Sequence, residues 1–187
     1  MCVGDEMNNS DTKRKMKYIY IITLIGIILD QIVKFFIRFN FSNLNVGKIG
    51  IFKVIPNRGI EIIKNFFYII NVQNTGGAWG IFSDNVPLLA VISAFVIVLL
   101  FFFVKSEKSI NKLSITYYGF LFAGIIGNLI DRLFNGYVTD YLNFFIFGYD
   151  YPVFNLADIL IVVGIILMII DVVRGEIYAY NKRKGRS

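Results

Sequence analysis

The sequence predicts an α-helical membrane protein with four transmembrane helices and a small extracytoplasmic β-sheet, a cradle, between helices 1 and 2. Of its 187 residues, 56% are hydrophobic and 17% are aromatic, more than a soluble domain usually carries. Four apolar runs, at residues 18–37, 86–104, 115–134 and 153–173, approach the roughly 20 residues that a helix needs to cross a bilayer. The length fits one domain.

The placement of Lys and Arg predicts the orientation. Most of the 19 lie before the first run, between runs two and three, and after run four: Lys13, Arg14, Lys15, Lys17, Lys105, Lys108, Lys112, Arg174, Lys182, Arg183, Lys184 and Arg186. The positive-inside rule places these segments in the cytoplasm. We therefore expect a cytoplasmic extension at 1–17, disordered or lying on the membrane surface. A four-span domain at 18–173 and a basic cytoplasmic tail at 174–187 would follow it.

The composition excludes several kinds of site. The chain has no His and one cysteine, Cys2, so Ser-His-Asp, Cys-His and His-rich metal sites are ruled out. We expect no metal and no cofactor, and any acid–base chemistry must use carboxylates, Lys or Tyr. The net charge of +6 comes mostly from basic residues at span ends, so we expect no nucleic-acid partner.

The first run carries Asp30 and Lys34, which are four residues apart in the order that favours an ion pair on one helix face. The alternative for Lys34 is that its ammonium group extends to the membrane interface. Asp30 is too short to do so, and we expect it to face the helix bundle.

Residues 40–85 form the one long connection. β-Branched and aromatic enrichment predicts strands over 49–55 and 66–72 in an outer sheet. The connection ends in the segment from Asn74 to Gly80, where Gly76 and two further glycines flank Trp79. Glycines permit close approach of the backbone to another group, whereas the alternative is an ordinary turn with an interfacial aromatic anchor.

Runs three and four carry polar residues at their outer ends. Asn128 and Arg132 share one face of the third helix, because they are four residues apart, and Asp140 follows that helix. Asn155 and Asp158 begin the fourth helix, where they also fit a helix N-cap. A cap alone does not account for so many polar groups at one membrane depth, so we expect these residues to converge on a site.

Four sequence blocks resemble the signature of lipoprotein signal peptidase, or signal peptidase II, over about residues 18–173. The blocks are Asp30-Gln31-x-x-Lys34, Asn74-Thr75-Gly76-Gly77-Ala78-Trp79-Gly80, Gly127-Asn128-x-x-Asp131-Arg132-x-x-x-Gly136-x-Val138-x-Asp140 and Phe154-Asn155-x-Ala157-Asp158. The chain departs from the pattern in Gly77 where Ala is usual, Tyr141 where Phe is usual and Val33 where a hydroxyl residue is common.

The resemblance implies an aspartic endopeptidase of the bacterial cytoplasmic membrane, with its active site near the outer face. It would remove signal peptides from diacylglyceryl-modified prolipoproteins by cutting before the lipid-modified Cys. Asp140 and Asp158 would be the catalytic dyad. The residues that bind substrate or support the dyad would be Asp30, Lys34, Asn74, Gly76, Asn128, Arg132 and Asn155. We further expect contact with membrane lipid, a monomer, and inhibition by compounds of the globomycin type.

Other functions remain open at this point. Intramembrane carboxylates also serve proton-coupled transporters and channels, and polar groups can join helices in a structural subunit. The Gly-x-Gly-Asp motif of presenilin-like and prepilin-type proteases is absent. For a peptidase, two neighbouring carboxyls cannot both ionise at low cost, so one keeps a proton and the other can act as general base.

Overall fold

A computed structural model describes residues 9–41, 48–49, 52–55, 59–76, 85–107 and 110–184. Within these residues, four helices are long and apolar enough to cross a membrane: α1 (Asn9–Phe41), α2 (Val86–Ser106), α3 (Lys112–Asn135) and α4 (Leu156–Lys184). The predicted four-helix architecture is thereby confirmed. Helix α1 begins at Asn9, so residues 9–17 continue the first span as a helix, where we expected a disordered or surface-lying segment.

The sheet lies at one end of the helix bundle. In the described part of the chain it has six antiparallel strands, adjacent in chain order: β1 (Lys48–Ile49), β2 (Phe52–Ile55), β3 (Gly59–Ile63), β4 (Phe67–Asn74), β5 (Val138–Ile146) and β6 (Tyr149–Asp150). The first four strands connect α1 to α2, as the predicted sheet does. The other two connect α3 to α4, so both connections build one sheet.

One expectation about the strands was wrong, and one strand was missed. The single strand over 49–55 is two strands, because Ile49 pairs with Phe52 in antiparallel register and the chain must reverse between them. We also missed β5, which pairs with β4. Its residues are enriched in β-branched and aromatic types, which is typical of a strand.

Helix α3 is the centre of the bundle. More than half of its apolar window is buried, whereas most of each other helix faces outward. Small residues make the close packing: a Cβ at Gly124 would lie 2.3 Å from the backbone oxygen of Ala157 on α4, and one at Gly119 would lie 2.6 Å from Ile22 on α1. Such contacts let neighbouring backbones approach without intervening side chains. They bring the polar faces of α1, α3 and α4 together below the sheet.

Candidate active site

Asp140 is placed by a sharp turn between α3 and β5. Helix α3 ends at Asn135, and Gly136 follows with φ +74°, a left-handed conformation that favours glycine. Strand β5 begins at Val138, so Asp140 is its third residue and lies shortly after the end of the helix. The side chain is 2% exposed.

Asp158 is placed by the cap of α4. The Asp158 N–H donates to Asn155 Oδ1 at 3.0 Å, and the Asn155 N–H donates to Asp158 Oδ2 at 3.0 Å. The helix cap considered as an alternative is therefore present. It uses one carboxylate oxygen, while the other, Oδ1, accepts a bond of 2.8 Å from Asn128 Nδ2. The cap thus orients Asp158 and leaves it able to serve the site.

Two amides hold Asp140 in place. Asn74 Nδ2 donates to Asp140 Oδ2 at 2.8 Å, and Asn155 Nδ2 donates to Oδ1 at 2.6 Å. Asn74 comes from the end of β4, which is brought here by the antiparallel pairing of Asn74 with Val138. Its own Oδ1 accepts from the Gly76 N–H at 2.9 Å, which orients the amide with its nitrogen toward Asp140.

The two carboxylates belong to one hydrogen-bond network. Asn155 contacts both of them, and its Nδ2 also lies 3.1 Å from Asn128 Oδ1. Both carboxylates line a cavity of about 420 Å³, which is also lined by five other polar or small residues and by six apolar ones. The lining residues are Asn74, Gly76, Asn128, Arg132, Val138, Asp140, Tyr151, Pro152, Val153, Phe154, Asp158, Ile161 and Val162.

Lys34 and Asp30 lie behind the cavity. Both are 0% exposed, and Lys34 Nζ lies 2.9 Å from Asp30 Oδ2. The proposed ion pair is present, and the alternative in which Lys34 reaches the interface is wrong, because its ammonium group is buried against Asn128 Oδ1 at 2.8 Å. Asp30 Oδ1 accepts from the Ala157 N–H at 3.0 Å, which ties α1 to the start of α4.

Sequence reasoning missed Arg38 and Thr139 in this region and assigned no site role to Asp131. Asp131, Arg38 and Thr139 connect α3, α1 and β5: Arg38 NH1 lies 3.0 Å from both Asp131 Oδ1 and Thr139 Oγ1. The sequence does indicate that Arg38 shares a helix face with Asp30 and Lys34, since the three residues are spaced four apart along α1. Asp131 itself lies within a quoted sequence block. The segment from Gly77 to Gly80, with Trp79, lies outside the described residues.

The surroundings of Asp140 favour a carboxyl that keeps its proton to unusually high pH. Burial, followed by the negative charge of Asp158, raises the pKa of Asp140 to about 6. The hydrogen bonds from Asn74 and Asn155 work in the opposite direction without cancelling these effects. Two neighbouring carboxylates are costly to ionise together. At intermediate pH the pair carries one proton and so holds a general acid and a general base together.

Comparison with known proteins gives consistent matches. The family model described as signal peptidase (SPase) II matches residues 22–174. The lipoprotein signal peptidase of Staphylococcus haemolyticus (strain JCSC1435) is 35% identical over 164 residues, covering 86% of this chain and 96% of that protein.

Two solved structures, both described as bacterial membrane enzymes determined by the in meso method, share the fold. The one at 2.3 Å resolution has a TM-score of 0.69 and 31% identity, covering 83% of this chain and 87% of that one. The one at 1.9 Å resolution has a TM-score of 0.66 and 32% identity, covering 82% and 91%.

Proposed function

This chain belongs to the signal peptidase II family, and we propose that it removes signal peptides from diacylglyceryl-modified prolipoproteins by cutting before the lipid-modified Cys. It is an aspartic-type peptidase of a bacterial membrane. The observation that carries the proposal is the pair Asp140 and Asp158, which line one cavity and are both hydrogen-bonded to Asn155. We propose this pair as the catalytic dyad.

The dyad supplies both proton-transfer groups that peptide hydrolysis needs. The ionised carboxylate takes a proton from a water molecule, whose oxygen attacks the scissile carbonyl carbon. The protonated carboxyl polarises the carbonyl oxygen, and a proton is then delivered to the leaving amine as the C–N bond breaks. The products are a new carboxylate on the signal peptide and an amine on the lipid-modified Cys. Because the two carboxyls share one proton, the roles of acid and base belong to the pair and are not assigned to individual residues.

The other polar residues of the cavity have supporting roles in this proposal. Asn128 and Arg132 lie on the α3 face that lines the cavity, where they can bind substrate backbone or the oxyanion that develops during attack. Asn74 and Asn155 hold Asp140 through their amides. An amide exchanges no proton usefully near neutral pH, so these two residues position the dyad and do not take part in proton transfer.

The remaining predicted site residues act from outside the cavity wall or through their backbone. Asp30 and Lys34 are fully buried and support the dyad rather than bind substrate. Gly76 lines the cavity and presents backbone without a side chain, which allows an extended peptide to approach closely.

The acyl chains of the substrate have a place beside the dyad. A second, apolar groove of about 310 Å³ is lined by Phe154, Asp158, Ile159, Val162 and Val163. It shares Phe154, Asp158 and Val162 with the first cavity, so one substrate can occupy both. The groove lies on the outward face of α4, where lipid tails and a diacylglyceryl group meet the same apolar surface.

The orientation follows from the charge pattern. Both chain termini lie in the cytoplasm by the positive-inside rule, so the sheet and the dyad lie near the outer face of the cytoplasmic membrane. We propose that the protein acts as a monomer and that globomycin-type inhibitors occupy the cavity. The transporter alternative has no support in the spans: residues 86–104 of α2 contain no ionisable side chain, and the polar groups gather at one end of the bundle.

The test is cleavage by the purified protein in detergent of a prolipoprotein carrying the diacylglyceryl group. We expect one cut directly before the modified Cys, little cleavage of the same precursor without the lipid, and inhibition by globomycin. Asp140→Asn and Asp158→Asn should each abolish cleavage while the protein stays folded. Asp150→Asn, on the exposed strand β6, controls for loss of a carboxylate. Near-normal turnover in either dyad variant would refute the assignment.

A further inference from the structure

Asp131 is a buried carboxylate with an unusually complete set of donors. It is 0% exposed. Its Oδ2 accepts from the Thr139 N–H at 3.0 Å and lies 3.2 Å from Lys34 Nζ. Its Oδ1 accepts from Arg38 NH1 at 3.0 Å and from Asn135 Nδ2 at 3.1 Å. A buried charge is tolerated when it is paired and hydrogen-bonded, and here the donors come from α1, α3 and β5.

A chain of ionic and hydrogen-bond contacts connects Asp131 to Asp158. Asp131 and Asp30 hold the ammonium group of Lys34 from two sides, at 3.2 and 2.9 Å. Lys34 Nζ donates to Asn128 Oδ1 at 2.8 Å. An ammonium group is a donor only, so this bond settles which way the Asn128 amide is turned. Asn128 Nδ2 must then point to the opposite side, where it donates to Asp158 Oδ1 at 2.8 Å.

Asp131 is also connected to Asp140, through the backbone of Thr139. Thr139 is the residue directly before Asp140 on β5, and its backbone N–H is bound by Asp131. The start of β5 is therefore anchored to the last turns of α3 by a carboxylate, in addition to the turn at Gly136. Movement of Thr139 would carry the Asp140 carboxylate with it, because adjacent residues share a rigid peptide unit.

We infer that Asp131 is a positioning residue that fixes both carboxylates of the proposed dyad, Asp158 through Lys34 and Asn128 and Asp140 through the backbone of β5. The inference rests on the proposed function. Asp131 does not line the cavity, so it is not a catalytic residue.

The charge of Asp131 also matters to the dyad. Burial and the charge of Asp158 raise the pKa of Asp140, and the positive charge of Lys34 works against them. Asp131 offsets part of that positive charge. The charged and titratable groups around Lys34 and the dyad are Asp30 and Arg38 from α1, Asp131 and Arg132 from α3, Asp140 and Tyr141 from β5, and Asp158 from α4. Neutralising Asp131 would leave the positive charge of Lys34 less compensated, so the pKa of Asp140 would be lower and its carboxyl would lose its proton at lower pH.

The experiment compares Asp131→Asn with Arg38→Gln as the matched control. Arg38 bonds Asp131 and Thr139 but has no bond to Lys34 or Asn128, and its side chain is 22% exposed. The measurements are kcat, KM and the pH profile of cleavage of a diacylglyceryl-modified prolipoprotein, with thermal unfolding of each purified variant as the check on folding.

For Asp131→Asn we expect kcat to fall about tenfold to a hundredfold, since small displacements of reacting groups are costly. KM should stay within about twofold, because the cavity lining is unchanged. The alkaline limit of activity should move to lower pH by about half a unit or more, as expected for loss of a nearby negative charge. Arg38→Gln should keep most of its kcat and show no shift to lower pH.

Equal losses in the two variants without a pH shift would show that Asp131 only clamps the sheet to the helices, and the inference would fail. If Asp131→Asn does not fold, the double variant Lys34→Gln/Asp131→Asn removes one positive and one negative charge together. It should show the same loss of kcat with KM retained, and wild-type kcat there would also overturn the inference. If the wild-type protein cleaves no prolipoprotein, the proposed function fails and the inference with it. Wild-type cleavage with an unaffected Asp131→Asn overturns the inference alone.

Discussion

Replacing Asp140 by Asn should make the folded protein more stable at neutral pH and should remove part of the pH dependence of its stability. The ionised form of Asp140 is disfavoured in the folded state, because burial and the charge of Asp158 raise its pKa from 3.8 to about 6. That difference of roughly two units corresponds to about 3 kcal/mol at 1.36 kcal/mol per unit. The cost is fully present above pH 6 and disappears as the pH falls below 4, where the carboxyl is protonated in both states.

The substitution also has a local cost. Asn74 and Asn155 donate to different oxygens of Asp140, so in the Asn variant one of them would face an NH2 group instead of an acceptor, and loss of one buried bond costs about 1–2 kcal/mol. The net effect for Asp140→Asn is therefore about 1–2 kcal/mol of stabilisation at pH 7.5 and a similar destabilisation near pH 4. The change of about 3 kcal/mol between the two pH values is independent of the lost hydrogen bond.

Thermal unfolding of both proteins in one detergent, measured from pH 8 to pH 4, tests this reasoning. For a protein of this size, 1 kcal/mol shifts Tm by about 2–4 °C, so the Tm difference between variant and wild type should change by about 6–12 °C over the range. Groups that titrate alike in both proteins cancel in the difference. Asp150→Asn on exposed β6 is the control and should show no comparable trend. A Tm difference for Asp140→Asn that is constant with pH would refute the argument that this carboxylate is held at an energetic cost.

Further predictions concern the activity. Asn155→Ala should lower kcat at least tenfold, because it removes the side chain that joins Asp140 to Asp158; unchanged turnover would mean that the two carboxylates are positioned independently. Cleavage by the wild-type protein at low substrate concentration should decline as the pH rises through the value of about 6 for Asp140, since the monoprotonated dyad is then lost, and a pH profile flat from 5 to 8 would contradict this. Gly127→Ala should lower both stability and activity, because its Cβ would lie 2.7 Å from Asp30 Oδ2; the matched Gly175→Ala, at an exposed position of α4 with open space around it, should leave stability and activity intact in the same assays. Asn74→Ala should reduce turnover less than Asp158→Asn, because it removes one hydrogen bond and no proton carrier, and equal losses would indicate a direct chemical role for Asn74.

The membrane class, the four helices and the chain order of the polar blocks could be read from the sequence. These features depend on local composition and spacing: a bilayer-spanning helix needs an apolar run of a certain length, and residues four apart share a helix face. The ion pair of Asp30 with Lys34 follows from spacing in the same way, and so does the common face of Asn128 and Arg132.

Other features depended on packing between distant parts of the chain. Lys34 is able to reach the interface or to be buried, and burial prevails because α3 supplies Asp131 and Asn128 as partners for its ammonium group. The strand β5 joins the same sheet as β4 through pairing between residues about seventy positions apart, which no local pattern specifies.

The amide orientation of Asn128 is the clearest case. Its sequence position indicates a polar face, but the direction of its Oδ1 and Nδ2 is set by Lys34 on one side and Asp158 on the other. The sequence by itself therefore determined which residues are available at this end of the membrane. The tertiary structure decided which of them face the cavity and which stand behind it, because burial, charge pairing and hydrogen-bond direction arise only when separate helices and strands pack together.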